Sequence, residues 1–239
     1  MNQARWAHVS WETDQGVYLI GGSESSKTSE FILSYSGTGV GVVQNSFGLK
    51  YYTRYISFPI SISLHCYLSL YLSNACGIKL SDDEYIITGG SYTNKIVSRY
   101  SKKGWQNDLP SLNTGRRGHA CSSYTNNGQQ VLIVAGGGID RTYVQTDSTE
   151  IHVLGSNKWS SSTSLPRLLW DLRAVNIGNM IYVVGGFSQS SSTTRNEILK
   201  YDPNYSEWTT AGNMKSVRWS PAASVILYSD IQHYIYACS

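Results

Sequence analysis

The sequence predicts an all-β fold assembled from repeated four-stranded units, and three observations carry that prediction. An apolar, β-branched run closed by a glycine pair occurs four times. The copies are Val17-Tyr18-Leu19-Ile20 before Gly21-Gly22, Tyr85-Ile86-Ile87-Thr88 before Gly89-Gly90, Val131-Leu132-Ile133-Val134-Ala135 before Gly136-Gly137, and Ile181-Tyr182-Val183-Val184 before Gly185-Gly186. Such runs read as buried strands, and the glycines supply turns where the chain needs positive φ or close backbone approach. The spacing is nearly constant: 136 to 185 is 49 residues, 89 to 136 is 47, and 21 to 89 is 68, which is 49 plus 19. Finally, 22 glycines, 18 tyrosines and 7 tryptophans suit many short strands and turns. A period near 50 residues is the mark of a β-propeller array, whose blades bury their faces only against neighbours. The 239 residues are therefore read as one domain.

Unit one covers about 5–54. It opens at Arg5-Trp6-Ala7-His8, turns through Glu12 to Gly16, and reaches Gly21-Gly22. Its outer half keeps a tyrosine, Tyr35, but has Val40 to Val43 where later units place a tryptophan. Unit two covers about 74–116, with Ser81-Asp82-Asp83-Glu84 as its hairpin, then Lys95-Ile96-Val97, Tyr100 and Trp105. Unit three, 117–166, opens at Arg117-Gly118-His119-Ala120, turns at Thr125-Asn126-Asn127-Gly128, and continues to Glu150-Ile151-His152-Val153-Leu154 and Trp159. An Asn-Gly step suits a tight hairpin. Unit four, 167–217, opens near Arg167, turns at Gly178-Asn179, and carries Glu197 to Lys200, then Tyr201-Asp202 and Trp208. A partial fifth unit, 218–239, begins at Arg218, with strands expected at Ala222 to Leu227 and Tyr234 to Tyr236. Four blades and part of a fifth make an incomplete ring, which exposes strand edges, so the chain reads as a fragment of a longer one.

Gly-Gly, then Tyr-Asp, then Trp some six or seven residues later resembles the kelch repeat, and the resemblance covers nearly the whole chain. It implies a kelch-type propeller whose glycine pairs, Tyr100, Trp105, Trp159, Tyr201, Asp202 and Trp208 are structural. It further implies a module that binds other proteins as an adaptor or scaffold. In kelch adaptors, arginines at the lead-in to each first strand can line one mouth and grip acidic peptides. The corresponding residues are Arg5, Arg54, Arg117, Arg167 and Arg218, with Arg173 competing for the role of Arg167. A guanidinium is always charged and offers carboxylates a planar fork of donors. Against this stands the reading that each arginine simply pairs with an adjacent blade or with loop carbonyls. Many kelch proteins attach a BTB domain that recruits substrates for ubiquitin ligases; no such segment is seen.

Residues 55–73 are extra to a complete repeat, because removing them places Arg54 16 residues before Gly89, as Arg5 stands before Gly21. The segment is uncharged and rich in Ser, Leu, Ile and Tyr. A membrane span needs about 20 apolar residues, and Pro59, His65 and the serines argue against one. A functional loop would expose apolar surface. The preferred expectation is translated intron, since these residues have pyrimidine-rich codons.

The remaining features exclude more than they assign. Nineteen basic against sixteen acidic residues, without a basic cluster, give no support for nucleic-acid binding. Cys66, Cys76, Cys121 and Cys238 form no CxxC pair and read as buried thiols packed as small hydrophobes, ahead of a disulfide or zinc site. Met1 to Arg5 passes straight into a strand pattern without a signal peptide, favouring the cytoplasm over secretion. Five histidines lie scattered, without metal-ligand spacing. No nucleophile elbow, phosphate loop or dinucleotide motif occurs in its required context. Some kelch-like propellers are enzymes, such as the copper-dependent galactose oxidases, but no Tyr, Tyr and His set here matches theirs. The expectation is therefore a non-enzymatic interaction module without cofactor or metal. The alternatives are a propeller oxidoreductase and a non-functional fragment.

Overall fold

The computed structural model describes residues 74–91, 95–139, 144–221, 223 and 225, and the backbone of strands at 9–13, 16–20, 32–36, 39–43, 55–56 and 68–69. Among these residues there is no helix; four antiparallel, four-stranded sheets follow one another as blades. Blade one comprises Val9–Thr13, Gly16–Ile20, Ile32–Ser36 and Gly39–Val43. Blade two comprises Cys76–Ser81, Glu84–Thr88, Val97–Ser101 and Gly104–Gln106. Blade three comprises Ala120–Asn126, Gln129–Ala135, Thr149–Val153 and Ser160–Ser162. Blade four comprises Arg173–Ile177, Met180–Val184, Glu197–Asp202 and Glu207–Asn213. The first strands of successive blades lie side by side around the axis. Of the 55–73 segment, Tyr55–Ile56 pairs with Leu68–Ser69. Of the expected strands of the fifth unit, Ala223 and Val225 are described and lie in no strand, and the other residues lie outside the described ones.

In blade three the second strand is apolar from Val131 to Ala135 because that blade is covered on both faces. Along Gln129–Ala135 the side chains alternate. Leu132 and Val134 pack with Ile78, Ile86, Val97, Leu112 and Trp159 at the seam with blade two. Val131, Ile133 and Ala135 pack with Leu165, Leu172, Ile181, Leu199 and Tyr201 at the seam with blade four. The repeated tryptophans close these seams. Trp159 donates its indole N–H to the Pro110 carbonyl at 2.8 Å, and Trp208 donates to Thr149 Oγ1 at 3.1 Å. Tyr201 lies against Trp208 and shares a 2.8 Å hydrogen bond with Ser162.

The glycine pairs mark where each blade is crossed by the lead-in to the next. Gly90 N–H donates to the Arg116 carbonyl, Gly137 to Leu169 and Gly186 to Arg218, at 3.0, 2.7 and 2.9 Å. Gly137 has φ +100°, and a Cβ there would sit 2.7 Å from the Arg117 carbonyl oxygen. A side chain is therefore excluded both by conformation and by contact.

This latch fixes the repeat register. Arg116, Leu169 and Arg218 are equivalent; Arg117, Trp170 and Trp219 occupy the next position; Asn74, Gly118, Asp171 and Ser220 the one after. Those last four all have left-handed backbone, with φ between 50° and 58°. They also form a chain of hydrogen bonds around the axis: Gly118 N–H to the Asn74 carbonyl, Asp171 to Gly118, and Ser220 to Asp171, at 2.8, 2.6 and 3.1 Å. Asn and Asp tolerate this conformation better than most residues.

Two expectations are corrected by this register. Cys76 is equivalent to Ala120, and Cys76 and Cys121 are joined as a disulfide with Cα atoms 5.9 Å apart, instead of packing as free thiols. The candidate arginines do not share one repeat position: Arg117 follows the position of Arg218 by one residue, and Arg167 precedes it by two.

Candidate functional site at the glycine-pair mouth

The mouth of the propeller on the glycine-pair side carries a line of large side chains from three successive blades. Arg117 places its guanidinium carbon 5.6 Å from the centre of the Trp170 ring. Trp170 in turn lies 6.3 Å from Trp219, and Trp219 stacks on Phe187 at 5.4 Å. Arg117, Trp170 and Trp219 come together because the repeat register puts them at one position of consecutive blades. Phe187 joins them because its carbonyl accepts from Trp170 N–H, and its own N–H donates back to the Trp170 carbonyl. Gln145 holds the neighbouring loop by donating to the Phe187 carbonyl and accepting from Gln189 N–H. Arg117, Trp170 and Phe187 are half-buried, whereas Trp219 is 56% exposed.

Charge at this mouth is set by Asp171 and the arginines around it. Burial pushes the Asp171 carboxyl above its usual range, a hydrogen bond from the Trp219 indole at 2.8 Å opposes this, and Arg173 and Arg117 oppose it further. Burial likewise lowers the Arg173 guanidinium, with Asp171 opposing. One carboxyl thus faces two guanidinium groups, leaving the cluster positive.

Beneath the mouth, Arg116 is fully buried and donates to the carbonyls of Gly136 and Ser148, to Ser148 Oγ, and to Glu150 at 2.6 Å. Glu150 also accepts from the backbone N–H groups of Asn113 and Thr114. This pair straps the lead-in of blade three onto its own sheet. His119 Nε2 lies 2.8 Å from Thr88 Oγ1. Burial first, then Arg116 and Arg173, hold its imidazole well below the usual range. A hydroxyl beside a neutral imidazole has the composition of a nucleophile and its base. Here His119 is 1% and Thr88 0% exposed, so the pair is a packing contact.

Of the five candidate arginines, Arg5 and Arg54 lie outside the described residues. Arg117 belongs to the line of rings, and Arg218 is exposed beside Trp219 with its backbone bonded to Arg195 and Gly186. Arg167 is instead engaged with Glu197 at 3.0 Å within blade four. Trp170 and Trp219 are the residues that reading for arginines passes over. Their signal is the recurring Arg5-Trp6 and Arg218-Trp219 dipeptide, continued as Leu169-Trp170.

Along the axis, Gly77, Cys121, Ser122, Ser123, Thr125 and Asn176, among others, line a polar cavity of about 370 Å³ between the first strands of blades two, three and four. Among the described residues, no group of three or more His, Cys, Asp or Glu side chains is placed to hold a metal ion. No helix there is long and apolar enough to cross a membrane.

Comparison with known proteins agrees with this architecture. The Kelch motif family model matches residues 171–215. Kelch-like protein 23 of Mus musculus is 35% identical over 72 residues, 30% of this chain and 13% of the relative. Kelch repeat and BTB domain-containing protein 1 of cowpox virus (strain Brighton Red) is 30% identical over 157 residues, 63% of this chain and 27% of the relative. The matched region therefore spans about an eighth to a quarter of the length of these curated relatives. Among solved structures, the one titled "Structure of YjhT" superposes with a TM-score of 0.61 at 13% identity, covering 89% of this chain and 66% of that one, a likeness of fold.

Proposed function

This chain is a kelch-repeat β-propeller, and we propose that it is a non-catalytic protein-interaction module that grips an acidic, extended segment of a partner protein at the glycine-pair mouth. The observation that carries the reading is the line Arg117, Trp170, Trp219 and Phe187 on consecutive blades, beside two guanidinium groups and one carboxyl. Aromatic rings and arginine are the side chains that dominate binding energy at protein interfaces. A guanidinium is always charged and offers carboxylates a planar fork of donors. Arg218 extends the positive rim, whereas Arg167 serves blade four through Glu197. Within a longer protein, the module would act as the substrate-recognition or scaffold part.

The test is titration of the protein with a fluorescein-labelled peptide rich in Glu and Asp, followed by anisotropy. Binding is expected to weaken as salt is raised, because the rim charges are screened over a Debye length of about 10 Å at 0.1 M. Trp219→Ala is expected to weaken it by about tenfold or more, the loss of one interface anchor, and Arg117→Ala similarly. Absence of binding, or binding indifferent to salt and to both substitutions, overturns the proposal.

A further inference from the structure

The Cys76–Cys121 disulfide has no part in the interaction reading, yet its placement is specific. The cysteines stand at different repeat positions: the counterparts of Cys76 are Ala120 and Arg173, and those of Cys121 are Gly77 and Ala174. Repetition alone therefore does not produce the pair; one seam, between the first strands of blades two and three, brings it together. The Cα separation of 5.9 Å lies at the usual distance for a disulfide. Cys121, 6% exposed, contributes to the wall of the axial cavity of about 370 Å³, and Cys76 is half-buried, while the apolar residues of the same seam, such as Ile86 and Leu132, are fully buried. A cavity of this size falls in the range that holds small molecules.

We propose that Cys76–Cys121 is a thiol–disulfide exchange site, closed as a covalent staple between blades two and three and opened by a low-molecular-weight thiol that enters the axial cavity. A thiolate attacks one sulfur, forms a mixed disulfide and expels the other cysteine as thiolate, which takes up a proton. A second thiol attacks the mixed disulfide and releases the remaining cysteine, leaving as the oxidised disulfide of the small thiol. Two electrons and two protons pass to the protein, and two small thiols are joined. The opened site leaves two thiols at a packed seam, where free cysteines behave as small hydrophobes, so the fold persists at lower stability.

The experiment is mass-spectrometric peptide mapping of the whole chain. Native protein is alkylated as isolated, after millimolar glutathione, or after a bead-bound thiol too large to enter the cavity. A linked pair of peptides containing Cys76 and Cys121 is expected as isolated. It should disappear with glutathione while circular dichroism stays native, and persist with the beads. The glutathione-treated protein should melt on the order of 10 °C lower, and a Cys76→Ser/Cys121→Ser variant should melt with it and ignore reductant. The proposal is overturned if both cysteines are alkylated in the protein as isolated, or if either is linked to Cys66 or Cys238. It is also overturned if glutathione opens the bond only on unfolding, or if the beads open it equally fast. Should the double variant fail to fold, the peptide map of the wild type still decides.

Discussion

Replacing Glu150 with alanine tests how the propeller holds its lead-in segments. Glu150 accepts hydrogen bonds from Asn113 N–H at 2.8 Å, Thr114 N–H at 3.0 Å and the Arg116 guanidinium at 2.6 Å. Arg116 is fully buried, and burial already lowers the tendency of its guanidinium to stay charged; Glu150 is the group that opposes this. Removing the carboxylate leaves a buried cation with the Gly136 and Ser148 acceptors but no counter-charge, a change that costs about 3–5 kcal/mol. Bond by bond, hydrogen bonds to charged groups contribute about 1.5–3 kcal/mol each. Three of them reach the same range once water enters the vacated space. Against a total stability of about 5–15 kcal/mol, and at about 2–4 °C per kcal/mol for a chain of this length, the midpoint should fall by about 10 °C. Urea unfolding followed by tryptophan fluorescence reads the loss, and Trp159 reports locally, since its carbonyl accepts from Asn113 Nδ2. The double variant Arg116→Met/Glu150→Leu should be less destabilised than the sum of the single changes, because no charge is left buried although Asn113 and Thr114 N–H still lose their acceptor. A loss below about 1 kcal/mol for Glu150→Ala, or additive single losses, refutes the strap.

Three further outcomes follow from the same contacts. Gly137→Ala should cost about 2 kcal/mol or more, from the left-handed backbone and the collision with the Arg117 carbonyl, read as a lower urea midpoint. Because the folded protein refuses a proton on His119 that the unfolded chain accepts near pH 6.5, stability should fall as pH drops below that value toward the depressed folded pKa; His119→Gln should flatten the slope. Trp219→Ala should weaken peptide binding and lower stability by only about 1 kcal/mol, the net worth of its hydrogen bond to Asp171, because the ring is 56% exposed.

The blades were legible in the sequence because each second strand carries an apolar run, and that run and its closing glycines stand out at regular spacing. The tryptophans at 159 and 208 were legible for the same reason, being large rings that fill seams. The lead-in register was not. The first two strands of blade three are seven residues each against five in blade four, which displaces the arginine count. Arg116 and Arg117 are also neighbours of one residue type, and only the latch from Gly90 decides which turns inward. The disulfide was hidden likewise: its cysteines are 45 residues apart, and they meet only when blades two and three are placed side by side.

Nitrogen-15 correlation spectra during titration with the acidic peptide test the central claim, partner binding at the glycine-pair mouth, most directly. Shifts should be confined to Arg117, Asp171, Arg173 and the indole N–H groups of Trp170 and Trp219. Shifts gathered instead at the opposite hairpins, Asp82-Asp83, Asn127-Gly128 and Gly178-Asn179, or no shifts at saturating peptide, would contradict it.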